Sequence, residues 1–139
     1  MRFIAVILLI VLTAAGIYSL SNEDMRVILD KKTASIGDAL YVIYSIDNPD
    51  AVMADLYGIT NKRISAMDKG AVLDAGTLAV IAIELGKARG GFYYFLTGLS
   101  RYAAQSLIYD GIYPESFAWN RSLSGSELIE LAQVIKVHI

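Results

Sequence analysis

The chain has 139 residues, with 12 Lys+Arg against 14 Asp+Glu, one His, no Cys and two Pro, and is 55% hydrophobic and 19% charged. This length and composition exclude a disordered chain and allow one modest domain. A net charge of −2 leaves no basic field for nucleic acid, and the lack of Cys with a lone His138 excludes disulfides, a thiolate zinc site, a cysteine nucleophile and a multi-histidine metal centre.

Arg2 is followed by 18 uncharged residues, Phe3 to Leu20. A helix of this length in a protein core would keep a polar face, and this stretch has none, so lipid or the translocon is its natural solvent. Residues 1–21 therefore read as a signal peptide or a transmembrane anchor. Ser19-Leu20-Ser21 and Thr13-Ala14-Ala15 supply small residues for cleavage. Retention requires about 20 apolar residues to cross the hydrocarbon. In both cases Arg2 stays inside while Asn22-Glu23-Asp24 crosses, which places the domain in the periplasm or on the extracytoplasmic face of the inner membrane.

Residues 22–34 are charged, lack a sustained apolar period and read as a linker. Helices dominate residues 35–139. Ser35 with Asp38 is a cap for a helix through Ile46, with Ile36, Ala39, Leu40 and Ile43 on one face. Asn48-Pro49-Asp50 restarts a helix carrying Val52, Met53 and Leu56, which Gly58 ends. Asp74 caps Ala75 to Leu85, Ser100 opens a helix through Tyr109, and Ser124 with Glu127 forms a capping box before Leu128 to Val137. The expected fold is all-α: a small domain of about five short helices behind an N-terminal hydrophobic export or anchor helix.

The starts at Ser35, Asp74 and Ser124 share one plan: a polar cap, a small residue, a second polar residue three positions on, then an apolar helix. Helices ending in Gly58-Ile59 and Gly111-Ile112 fall between them, Gly giving a left-handed stop and Ile folding back onto its helix. The last interval is lengthened by an insert from Gly86 to Gly98. The pattern resembles the S-layer homology (SLH) repeat, which runs helix, Gly-Ile turn, loop and capped second helix. Arg101 to Ile112, the loop through Trp119, and Leu123 to Leu128 match it best; Met53 to Ile83 match it more faintly, and Ser35 to Ile46 match a second helix alone. The copies lack the family's Thr-Arg pair and leading Phe-x-Asp element. The resemblance implies a scaffold of helix-loop-helix repeats and, as one role, binding of cell-wall polysaccharide. The same caps also suit any small all-α protein.

His138, near the chain end, reads as a frayed surface residue. Asp47, Asp50, Asp55, Asp110, Glu115, Glu127 and Glu130 could supply a carboxylate pair for a hydrolase, but capping already accounts for Asp50 and Glu127. Asp47-Asn-Pro-Asp50 lacks the pattern of a calcium loop, and Gly86-Lys87-Ala-Arg89-Gly90-Gly91 has its Lys too early for a phosphate loop. Asn120-Arg-Ser122 matches a glycosylation acceptor. Phe92-Tyr93-Tyr94-Phe95-Leu96 cannot all face inward in a strand or a helix. The candidate partner contacts are therefore Arg89, Phe92, Tyr93, Tyr94 and Arg101, with Trp119 and Arg121 from the following loop; the alternative is that these aromatics close the core. No catalytic, cofactor or metal site is read. The functional expectation is an exported, non-enzymatic envelope protein acting through protein contacts. A cell-wall polymer is the alternative ligand, and residues 3–20 contact the membrane if they are retained.

Overall fold

The computed structural model describes residues 22–51 and 53–138. The expected leader at 1–21, and Val52, lie outside the described residues. Among the described residues the chain is helical and without strands. The α-helices are α1 (Asn22–Leu29), α2 (Ile36–Tyr44), α3 (Lys62–Ser65), α4 (Ala75–Glu84), α5 (Phe92–Thr97), α6 (Ser100–Tyr109) and α7 (Gly125–His138), with a 3-10 helix over Met53–Gly58. No helix of the described residues is long and apolar enough to cross a membrane.

Helix starts follow the capping chemistry. Ser35 Oγ accepts from the Asp38 N–H while the Asp38 carboxylate accepts from the Ser35 N–H. Asp74 accepts from the Thr77 N–H at 2.7 Å, and Ser124 and Glu127 exchange the same reciprocal bonds as Ser35 and Asp38.

The residues just before these caps close a ring. The Leu73 N–H donates to the Ala34 carbonyl at 2.9 Å, Leu123 to Leu73 at 3.1 Å, and Ala34 to Leu123 at 2.8 Å. A second set runs in the opposite sense one residue past each cap: Ile36 N–H to Ala71 O, Ala75 N–H to Arg121 O, and Gly125 N–H to Lys31 O. Each helix start thus places donors that its own helix leaves free onto carbonyls of the next unit's loop. The three units are α1–α2, α3–α4 and α6–α7, related by an approximate threefold arrangement. Ala34, Leu73 and Leu123 are all buried at its centre.

The core spreads outward from this ring. Helix α4 buries Ala75, Gly76, Leu78, Ala79, Val80, Ile81 and Ala82, apolar nearly all round as a central helix must be. It packs along α6, where Ala103 and Ala104 are buried small residues, and against α2. Asp38, 3% exposed, is satisfied by Lys31 Nζ at 2.9 and 3.0 Å as well as by its cap bond.

Several expectations change. Part of the stretch read as a linker is α1, because Met25, Ile28 and Leu29 form a short apolar face; Ile28 is buried, and the helix packs on α7. Its period is too brief to stand out among its charges. Asn48-Pro49-Asp50 does not start an α-helix; the described chain resumes helical form only as the 3-10 helix at Met53. The count goes from five helices to seven α-helices among the described residues, because α1, α3 and α5 are added and the expected helix ending at Gly58 is 3-10. Gly111 has the expected left-handed φ of 79° and Ile112 is buried behind it, whereas Gly58 is not left-handed.

Gly125 marks the tightest junction. A Cβ there would overlap the main-chain carbonyl of Ile28, so α1 and the start of α7 meet backbone to backbone. Gly125→Ala is expected to cost about 3 kcal/mol in urea unfolding. Gly58→Ala, which meets nothing within 4 Å, is expected to stay within about 0.5 kcal/mol of the parent.

Candidate functional site

The insert between the second and third units folds as α5. Its start is tied to α6 by the Gly91 N–H, which donates to Ser106 Oγ at 2.9 Å. Its end is Gly98, left-handed at φ 67°, whose N–H returns to the Tyr94 carbonyl at 2.7 Å. The Arg63 guanidinium lies against Gly98 where a side chain would displace it.

Tyr94 bolts α5 to the body. Its hydroxyl accepts from Arg63 Nη1 at 2.7 Å and donates to Glu84 Oε1 at 2.6 Å. Asn61 Nδ2 donates to Glu84 Oε2 at 2.9 Å, and the Arg63 guanidinium also lies 5.1 Å from the centre of the Tyr94 ring. Burial acts to raise the Glu84 carboxyl, but the bonds from Tyr94 and Asn61 and the Arg63 charge outweigh it and hold it below its ordinary value. Burial, reinforced by the bond to Glu84, pushes the Tyr94 hydroxyl up to about 12. Tyr94 is therefore withdrawn from the contact set: it is 2% exposed and holds the insert in place.

With Tyr94 inward, its neighbours turn out. Phe92, Tyr93, Phe95 and Leu96 are each 64–72% exposed. Tyr93 stacks on Tyr102 of α6, their ring centres 5.6 Å apart, and the Arg101 guanidinium sits 4.7 Å from the centre of the Tyr102 ring. Arg89 is exposed and makes no ion pair among the described residues. Lys87, in contrast, is paired with Asp47.

Arg101 and Tyr102 also border an open trough of about 470 Å³ between α6 and the loop after it, shared with Gln105, Glu115, Phe117 and Trp119. Tyr113 anchors that loop. It is buried and its hydroxyl donates to the Ala75 carbonyl at 2.7 Å, so burial and the nearby Asp74 charge push it well above its ordinary value. Phe117 packs on Tyr113, with ring centres 5.3 Å apart, and the Arg121 guanidinium lies 4.6 Å from the Phe117 ring centre while pairing with Glu127. Arg121 is thus occupied in pinning the loop, and Trp119 is left 44% exposed.

The structure therefore separates the candidate contacts. Arg89, Phe92 and Tyr93 lie at α5, Arg101 and Trp119 at the trough, and the stacked Tyr93–Tyr102 pair joins the two places. Sequence reasoning missed Tyr102, Gln105 and Tyr109, which share a face at i, i+3 and i+7 on α6, a spacing that was open to inspection. No group of three or more potential metal-ligating His, Cys, Asp or Glu residues occurs among the described residues. No family model matches the chain, and neither does any curated protein or solved structure.

The Tyr94 network makes a checkable contribution. Tyr94 has a raised folded value, so its part is full below about pH 10 and is lost as pH rises through about 12. Glu84 has a lowered one, so its part is present above its ordinary value near 4.5 and is lost as pH falls through the folded value. Tyr94→Phe is expected to cost about 1–3 kcal/mol in urea unfolding at pH 7. The gap from the parent should narrow from pH 10 to 12 and again below pH 4.5.

Proposed function

We propose that the chain is an exported, non-enzymatic envelope module that holds a protein partner in the trough between α6 and the Tyr113-to-Arg121 loop. Export rests on the uncharged stretch from Phe3 to Leu20 after Arg2. The single observation that carries the contact reading is Trp119, left 44% exposed at an open trough. It has an arginine, an amide and a carboxylate beside it, in Arg101, Gln105 and Glu115. An aromatic anchor among polar groups of both signs suits a peptide segment, with its apolar side chain against the ring and its main chain bonded at the rim. Of the candidate carboxylates, Asp47 pairs with Lys87, and Glu127 caps α7 and pairs with Arg121.

A second reading is favoured by the ring that joins the three capped helix starts, because three repeated helix-loop-helix units are what the SLH resemblance implies. On that reading the ligand is a cell-wall polymer. It predicts sedimentation with purified cell wall after all other proteins have been removed, and absence from that pellet overturns it.

The protein-contact reading is tested by affinity capture with the full chain from detergent-solubilised native envelopes. Trp119→Ala and Arg101→Ala are each expected to lower retention of the co-purifying protein by about tenfold, the size of an interface anchor. Retention equal to the parent for both variants overturns it.

A further inference from the structure

The exposed side of α5 adjoins the trough through the Tyr93–Tyr102 stack and has no role in the reading above. At about 100° per residue, Phe92, Tyr93, Phe95 and Leu96 span an arc of about 160° centred opposite Tyr94. A six-residue helix is thus fixed through one buried phenol while the rest of its circumference carries large apolar side chains into solvent. Leu99, 50% exposed, extends this surface at the start of α6.

We propose that this side of α5 is a membrane-docking tip, which inserts its rings and Leu96 at the headgroup–acyl boundary of an anionic bilayer. Three observations choose lipid as the occupant. First, the four side chains are 64–72% exposed, and the Tyr93 hydroxyl is their only polar atom. Large apolar side chains flanked by cations suit the headgroup–acyl boundary, where apolar area is buried beside anionic headgroups. Second, residues 85–109 contain Arg89 and Arg101, besides the Asp47-paired Lys87, and no Asp or Glu, within a chain of net charge −2. An anionic surface attracts these arginines, which favours an approach with α5 toward the leaflet. Arg89, without an ion pair among the described residues, is free to meet a lipid phosphate. Third, the uncharged stretch ends at Leu20 and α1 begins at Asn22. On the reading that this stretch is retained as an anchor, the domain needs little further affinity to stay docked, because its second contact is intramolecular in effect.

The test uses the full chain in phospholipid vesicles, with tryptophan fluorescence quenched by lipids brominated on the acyl chains. Trp119 is the sole tryptophan, so the double substitution Phe95→Trp with Trp119→Phe moves the reporter to α5. In vesicles containing anionic lipid, this reporter is expected to be blue-shifted and quenched at least threefold more than the native Trp119 of the parent chain. Adding Arg89→Glu is expected to halve that quenching, and Phe92→Ser with Leu96→Ser to reduce it to the level of Trp119. Far-ultraviolet circular dichroism checks that each variant stays folded; any that does not is replaced by Leu96→Ala, for which at least a twofold loss is expected. A reporter at position 95 no more quenched than Trp119 in anionic vesicles overturns the proposal, as does quenching unchanged by Arg89→Glu. Crosslinking of α5 to an envelope protein without quenching overturns it in favour of a protein occupant. Since capture is read on Trp119→Ala and docking on Arg89, Phe92 and Leu96, the docking tip and the trough can fail independently.

Discussion

Everything in this fold hangs on a closed ring of three main-chain hydrogen bonds among Ala34, Leu73 and Leu123. Each of these residues both donates and accepts within the ring, so none of its buried peptide groups is left unpaired there. Because the next residue in each case is a helix cap, the ring fixes where α2, α4 and α7 begin and makes their N-terminal ends converge. Convergence brings three positive helix ends together, and Asp38, Asp74 and Glu127 stand at them with compensating charge. Lys31 and Arg121 then pair with the first and last of these acids. The polar cap pattern is thus an electrostatic requirement of the topology as well as a signal for starting helices.

The same constraint explains where the molecule can vary. The ring uses backbone atoms next to the caps and places no demand on the length of chain between them. The interval from Ser35 to Asp74 and the longer one from Asp74 to Ser124 are therefore both accommodated, the extra residues leaving the body as α5. Such an excursion needs its own attachment, which Tyr94, Arg63, Glu84 and Asn61 provide, with the Tyr94 hydroxyl and both Glu84 oxygens engaged. A single anchoring side chain on a six-residue helix leaves too little inward surface for its other large residues. The exposure of Phe92, Tyr93, Phe95 and Leu96 is a geometric consequence of how the insert is held.

What could be read from residues alone divides along the range of the interactions. Caps act within four residues, and Ser35, Asp74 and Ser124 were legible with their partners because the chemistry is local. The three-unit plan was legible for the same reason, through the recurrence of those caps. Helix α1 was not, since Met25, Ile28 and Leu29, in a helix with four charged or polar residues, form a face only once α7 covers it. The Asn48-Pro49-Asp50 signal yields a turn, closed by the Ala51 N–H on the Asn48 carbonyl, in place of an α-helix. At the site, exposure of the aromatic insert followed from steric reasoning, but the choice of Tyr94 as its buried member did not. That choice depends on Arg63 and Glu84, which lie 31 and 10 residues away in the chain. Arg121 likewise looked free until the loop folded and brought Glu127 and Phe117 to it.

Rigidity and exposure are therefore divided between different parts of one chain. The loops that enter the ring spend their carbonyls on neighbouring helix starts: Ala71 and Lys69 accept from α2, and Arg121 and Trp119 from Asp74's helix α4. Trp119 illustrates the result, for its carbonyl takes the Gly76 N–H at 2.6 Å while its side chain remains 44% exposed. Gly76 is needed for that approach, since a Cβ there would sit 3.0 Å from the same carbonyl oxygen. An indole fixed through its own main chain loses little freedom on meeting a ligand, which makes it a better anchor than one on a loose loop. The ring that organises the core thus also preorganises the most exposed ring of the trough, through one glycine and one hydrogen bond.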